Sequence, residues 1–147
     1  MIERIYLDSN VFVSLVREEI DGNFRMLYRD SEIALSICNS ARIKVVVSYL
    51  FFDEIKKACG LDRKSASEIL YKNVVYIEEV NKPQLAWLEE AFDTTKETGL
   101  HYTDSLHATI AKQCNCDFIL TWNVKDFEKV GKIMRCMTPS EFIGQFV

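Results

Sequence analysis

Apolar positions along this chain switch repeatedly between two rhythms. Short, mostly apolar runs stand at Arg4 to Leu7, Ile43 to Val47, Val74 to Ile77 and Phe118 to Thr121. Each predicts a buried strand, with Ile133 to Met137 as a short last one. Between the runs, apolar residues recur three and four apart, which predicts helices with one face on a core. Such sets are Phe12, Leu15, Val16 and Ile20, then Phe24, Leu27, Ala34, Leu35 and Cys38 in a helix over 23–39. Further sets lie in Tyr49 to Cys59, in Ala66, Ile69 and Leu70, in Leu85, Leu88 and Phe92, and in Leu106, Ile110 and Cys114.

End signals agree with this division. Ser9 or Asn10 can cap the first helix, Ser48 the helix from Tyr49, and Gly60 can stop it. Asp62 can start the next helix. Asn81 and Pro83 open one that ends near Gly99, and Thr103 caps one reaching about Cys114. Thr138-Pro139-Ser140-Glu141 is a capping box with proline at the first helical position. Strands alternating with helices predict an α/β fold: right-handed crossovers and a parallel sheet covered on both faces. In such sheets ligands bind beyond the carboxyl ends of the strands.

That rule sorts the acidic residues. Asp8 directly follows the first strand, and Asn10 can orient it; alone, Asp8 is equally well read as a helix cap. Glu54 has Leu50 and Phe51 behind it and Ala58 ahead, so it lies on an apolar stripe where an unpaired carboxylate is costly. Asp53, about 100° away, reads as a solvent-exposed ion pair with Lys56 or Lys57. Asp104 begins its helix, where the helix dipole alone would favour an acid. It shares a face with His107 and with Ala108 and Ala111, small enough to let this helix lie close to the sheet. His107 reads mainly as a packed or locally bonded residue, with contact to substrate or the scissile phosphate as the alternative, and His101 has no pattern around it. Asn123 lies just past the strand Phe118 to Thr121, and Asp126 can reach back over the same edge. Trp122 stands beside them, either shielding the core or stacking a base. Asp117 begins that strand and belongs at the opposite edge. Carboxylates gathered at one edge repel one another, and a hard divalent cation such as Mg²⁺ or Mn²⁺ relieves that repulsion. The chain has no glycine-rich phosphate loop and no serine elbow.

Composition narrows the class. The 147 residues suit one domain, 1–147, and 48% are apolar, enough for a real core. Only 5 Gly and 2 Pro argue against linkers and low complexity. Five cysteines without a C-x-x-C pair read as reduced, mostly buried thiols in a cytoplasmic protein. Glu3 and Arg4 rule out a signal peptide at the first residues, and the apolar runs are too short to span a bilayer. The net charge of −4 gives no global basic surface for nucleic acid. Arg42/Lys44, Lys56/Lys57 and Arg63/Lys64 are the candidate local strips.

Four segments in order resemble the motifs of the PIN-domain family. They are Tyr6-Leu7-Asp8-Ser9-Asn10-Val11, Ser48 to Ile55 with Glu54, Tyr102 to Ala108 with Asp104, and Ile119 to Phe127 with Asn123 and Asp126. The resemblance covers nearly the whole chain. It implies a single PIN-like domain with a five-stranded parallel sheet flanked by helices, and Mg²⁺- or Mn²⁺-dependent hydrolysis of RNA by an activated water. It gives catalytic and metal-binding roles to Asp8, Glu54 and Asp104, with Asn123 at the fourth metal position; Asp126, three residues on, is the candidate to compensate there, its other reading being a structural turn. Many small chains like this one are VapC-type toxins, homodimers silenced by a small antitoxin protein. The fourth position is often Asp in the family and is Asn123 here, which removes a charge from any second ion. Two rival readings remain: a non-catalytic PIN-like module that binds RNA or protein, and a phosphohydrolase using Asp8, which lacks the second Asp two residues on.

Overall fold

The strands close the chain into one sheet. In the computed structural model, which describes residues 1–131 and 133–146 (Val130 by its backbone only), they are β1 (Arg4–Leu7), β2 (Lys44–Ser48), β3 (Ile77–Val80), β4 (Phe118–Leu120) and β5 (Cys136–Met137). The order is β3-β2-β1-β4-β5, and all pairings are parallel. The helices are α1 (Ser9–Val16), α2 (Leu27–Ser40), α3 (Tyr49–Cys59), α4 (Arg63–Asn73), α5 (Leu85–Thr98), α6 (Tyr102–Gln113), α7 (Val124–Phe127) and α8 (Pro139–Gly144). The fold is the expected α/β one.

The two-residue pleat period sets the layers. Ile5, Leu7, Val45, Val47, Phe118 and Leu120 turn to one face and pack with α1, α2, α4 and α8. Tyr6, Val46 and Ile119 turn to the other, against α5, α6 and Phe127. Ala108 and Ala111 are fully buried there, so α6 does lie close on the sheet. Strand order runs outward from β1 through β2 to β3, then resumes on the other side with β4. The switch point therefore falls between β1 and β4, where open parallel sheets leave a crevice at the carboxyl edge.

Several boundaries differ from the sequence reading. The second helix starts at Leu27 rather than residue 23. Asp21 accepts from the backbone N–H groups of Asn23 and Arg25, both at 2.9 Å, and Ile20 bridges Met26. This side-chain competition holds a turn instead of a helix, and Phe24 is left exposed with φ of 60°. The strand expected at Val74 to Ile77 begins at Ile77, because α4 runs to Asn73 and Asn39 accepts the Val75 N–H at 2.9 Å. Thr103 is inside α6 and is not its cap; His101 holds that position without a side-chain bond. Helix α5 starts at Leu85 and buries Ala91 and Thr94, whereas Leu85 and Phe92, expected inward, are exposed. The last strand shrinks to Cys136–Met137, and Lys132, within the connection before it, lies outside the described residues. Asp62 caps α4, Gly60 ends α3 with φ of 69°, and the capping box of Thr138 and Glu141 forms as expected.

Candidate active site

Asp8 leaves β1 at its carboxyl end, and its N–H donates to Leu120 O at 3.1 Å. Its backbone is extended, in the N-cap position of α1, but its side chain makes no capping bond. The carboxylate instead turns into the crevice, where Oδ2 accepts from the Thr121 hydroxyl at 2.7 Å. Asn10 ties the two strand ends together: its Nδ2 donates to Thr121 Oγ1 at 3.0 Å, and its Oδ1 accepts the Trp122 N–H at 3.1 Å. The Asn123 N–H also donates to Thr121 Oγ1, at 3.0 Å. Asn10 thus orients Asp8 through Thr121, a residue the sequence reading passed over. Its signal was a hydroxyl at the carboxyl end of a buried run, level with Asp8 in the register of β1 on β4.

Glu54 rises from the second turn of α3 and is half-buried, on the stripe that Phe51 and Ile55 fix to the core. Ser9 donates to its Oε1 at 2.7 Å, and His107 Nε2 meets its Oε2 at 2.9 Å. Behind the imidazole, Nδ1 meets the Tyr6 hydroxyl at 2.6 Å, and that hydroxyl meets Ser48 Oγ at 2.8 Å. Tyr6 is fully buried, His107 is 2% exposed and Ser48 1%. His107, read from sequence mainly as packed or locally bonded, is bonded on both ring nitrogens and stands inside the site. Ser48 occupies the N-cap position of α3 but makes no capping bond, because its hydroxyl is engaged by Tyr6.

One ligand atom each of Asp8, Glu54 and His107 lies within 4.8 Å of the others. Asp104, half-buried in the first turn of α6, falls outside this compact set, yet it feels Asp8, Asp126 and His107 electrostatically. Asn123 and Asp126 are exposed at the rim, on the approach to and first turn of α7. Asp117 is at the far edge, as expected, with Oδ2 accepting from the N–H groups of Glu3 at 2.8 Å and Arg4 at 3.0 Å. Asp53 is exposed, and among the described residues it forms no ion pair with Lys56 or Lys57.

The charges are unevenly balanced. Burial pushes the Asp8 carboxyl above its usual range, and His107 and Thr121 offset this only in part. Burial and then Asp126 raise Asp104. Burial also works to raise Glu54, but the hydrogen bonds from His107 and Ser9 outweigh it and hold this carboxyl low. Burial would lower His107, but its bond and charge contact with Glu54 win and raise it. Asp8 and Glu54, with the His107 imidazole beside them, make a compact group that could hold a divalent cation, and Asp104 adds a carboxyl nearby. The residues present can bind a metal ion, mainly through oxygen.

A groove adjoins Glu54, with Val13, Leu27, Ala58 and Trp122 as its apolar wall and Ser9 and Asn123 at its polar side. The Trp122 ring is fixed by donation from Nε1 to Ser31 Oγ at 3.0 Å. Of the basic strips, Arg42/Lys44 sits where β2 begins, the edge away from the site. Arg63 is engaged by Glu79 and Asn81 and lies over the Phe52 ring at 4.1 Å. Lys57 is near enough to lower Glu54 slightly.

A family model described as PIN domain matches residues 5–133. The chain belongs to the PIN-domain family. No curated protein matches it significantly. Among solved structures it is similar to a chain of a toxin–antitoxin complex from Klebsiella pneumoniae, with TM-score 0.65 and 16% identity over 92% of this chain and 97% of that one. It is also similar to a chain of VapBC2 from Rickettsia felis, solved with a DNA fragment from its promoter, with TM-score 0.64 and 14% identity over 92% and 98%. PAE2754 from Pyrobaculum aerophilum matches with TM-score 0.55 and 15% identity over 98% and 94%. At these identities the likeness is one of fold. In this PIN domain Asp8, just past β1, meets Glu54 of α3 and His107 of α6 at the switch point, with Asp104 of α6 further out. Among the described residues no helix is long and apolar enough to cross a membrane.

Proposed function

We propose that this PIN domain is a Mg²⁺- or Mn²⁺-dependent ribonuclease that hydrolyses RNA phosphodiester bonds, the toxin of a toxin–antitoxin pair. The observation that carries the reading is the meeting of Asp8, Glu54 and His107 within 4.8 Å at the switch point, with Asp104 coupled to them. Asp8, Glu54 and Asp104 are the proposed catalytic acids and would hold the cation. Asn123 and Asp126 are the outer positions, where a neutral carbonyl and an exposed carboxylate contribute less charge. When bound, such an ion activates water and offsets charge on the phosphodiester being cut.

The remaining work belongs to the chain's own groups. Thr121 keeps Asp8 turned into the crevice, and Ser9 and His107 keep Glu54 turned toward Asp8. Trp122, held by Ser31, offers a fixed aromatic wall for a base next to the acids. The toxin role rests on the kinds of complex in which the similar folds were solved. It brings a small antitoxin as partner and a cytoplasmic setting. A homodimer fits the exposed Leu85, Phe92 and Tyr102 of α5 and α6. Residues 1–147 act as one unit in this reading, since α8, beyond the matched residues, packs its Phe142 into the core cluster beneath the sheet.

The test is cleavage of a structured RNA mixture with Mg²⁺ or Mn²⁺, wild type beside Asp8→Asn and Asp104→Asn. The expected result is metal-dependent cleavage that falls by on the order of 10² to 10³ in each variant, as for loss of one charge-stabilising group. Metal binding absent by calorimetry, together with no cleavage, would transfer the assignment to a non-catalytic RNA- or protein-binding module. The neutral Asn123 and the net charge of −4 are what favour that second reading.

A further inference from the structure

Glu54 is held more closely than a cation ligand on a surface helix needs to be. Both carboxylate oxygens already accept one hydrogen bond, Oε1 from Ser9 and Oε2 from His107. A carboxylate offers about four lone-pair sites, so each oxygen keeps one. His107 is itself fixed from behind by Tyr6, and Tyr6 by Ser48. The line Ser48–Tyr6–His107–Glu54 joins the end of β2, the middle of β1, α6 and α3. It lies almost wholly out of solvent and ends at one carboxylate on the carboxyl edge.

Packing does not require these polar groups. Phe, Leu and Ala would fill the same volume without the cost of burying a phenol, an imidazole and a hydroxyl. Among the described residues no buried side-chain polar atom lacks a partner, so the network is complete. It also engages Ser48 Oγ, which makes no capping bond to α3. The wiring is indifferent to the charge of the ring. With neutral His107, Nε2–H donates to Glu54, Tyr6 O–H donates to Nδ1, and Ser48 O–H donates to the Tyr6 oxygen. With the imidazolium, Nδ1–H donates to the Tyr6 oxygen and Tyr6 O–H donates to Ser48. An N–H faces Glu54 in both cases.

We infer that His107, backed by Tyr6 and Ser48, is a positioning residue that locks the Glu54 carboxylate in its cation-binding orientation. This rests on the reading of Glu54 as a cation ligand. Outer partners of metal-binding carboxylates and imidazoles typically change metal affinity by about 10- to 100-fold when removed. The experiment measures Mn²⁺ dissociation constants by calorimetry for the whole chain, wild type, Tyr6→Phe, His107→Gln and His107→Ala, with melting curves alongside. Tyr6→Phe removes one oxygen and no packing volume, so it reports even if the His107 variants fail to fold. Both Tyr6→Phe and His107→Ala are expected to weaken Mn²⁺ binding by about tenfold or more. His107→Gln, which keeps an N–H donor for Glu54, should lie between His107→Ala and wild type. In a Glu54→Gln background, adding Tyr6→Phe should change the dissociation constant no further, because the carboxylate to be positioned is gone.

Wild-type affinity in Tyr6→Phe, or the same factor lost with and without Glu54, would overturn the inference and leave these residues with a purely structural role. Absence of Mn²⁺ binding by the wild type would overturn the underlying cation reading instead, and the two failures are told apart by that control.

Discussion

At the residue scale the same carboxyl group behaves in opposite ways according to what surrounds it. Burial raises Asp8 and Asp104, whereas Glu54 is held low by His107 and Ser9. In three cysteines burial is the largest influence, and a backbone hydrogen bond at Cys38 and Arg4 near Cys116 offset it only in part. Cys38, Cys116 and Cys136 have their thiols pushed up to about 12 by desolvation. At pH 8 these three are protonated and should resist alkylation, since the thiolate is the nucleophile. Counting by mass after a short iodoacetamide treatment should give no more than the two remaining thiols, Cys59 and Cys114, in the native protein and five in denaturant. Fast labelling of Cys38 in the folded protein would contradict the packing described for α2. All five cysteines are free, as expected, but only Cys38 and Cys116 are buried; Cys59, Cys114 and Cys136 are half-buried, so the expectation of mostly buried thiols holds in part.

At the element scale, local signals fixed the ends of some helices and were overruled at others. Asp62, Gly60 and the Thr138–Glu141 box act through bonds or dihedral angles within a few residues, so their neighbours in sequence suffice to identify them. Thr103 has the chemistry of a cap but sits one residue inside α6, because that helix is held by its buried face and starts where the packing allows. Two glycines isolate the backbone effect. A Cβ at Gly60 or at Gly144 would meet no atom within 4 Å, but Gly60 has φ of 69° and Gly144 is helical. Gly60→Ala should therefore cost about 1 to 2 kcal/mol from the left-handed backbone alone. Gly144→Ala should gain up to about 1 kcal/mol from reduced chain entropy. Urea unfolding of both variants checks the opposite signs; equal effects would show that the end of α3 is not held by Gly60.

At the scale of the whole molecule, the sheet's switch point concentrates charge where the fold can least easily solvate it. Asp8 is 8% exposed and its carboxyl is raised. A carboxyl raised in the folded state binds its proton more readily there than in the unfolded chain, so the fold gains stability as pH falls through that raised value and carries a cost above it. In a chelating buffer at pH 7, Asp8→Asn should then melt no lower than wild type, and up to about 2–4 °C higher for each kcal/mol of relieved cost. The difference should shrink as pH is lowered through the range where Asp8 protonates. Adding Mn²⁺ should reverse the ranking, since a ligand bound only by the folded wild type raises its melting temperature by mass action. A large loss of stability in Asp8→Asn under chelation would mean that Asp8 serves the fold instead of a charged site.

The sequence by itself determined the alternation of strands and helices, the α/β class, and the segments from which Asp8, Glu54, Asp104, Asn123 and Asp126 come. Those features depend on periodicity and on the chemistry of neighbouring residues, which act over one turn or one strand. Only the tertiary structure decided which side chains meet. Tyr6, Ser48 and His107 are separated by 42 and 59 positions along the chain, yet they form one hydrogen-bonded line because β1, β2 and α6 are adjacent in space. In sequence, Tyr6 is an apolar strand residue, Ser48 a cap and His107 a packed or locally bonded residue. The same limit explains Thr121, whose pairing with Asp8 follows from the register of β1 on β4. It also explains Leu85 and Phe92, which have the spacing of a buried face but lie on an outer helix whose inner contact is made by Ala91 and Thr94. Periodicity says that a helix has a face; which face is buried depends on the neighbour it meets.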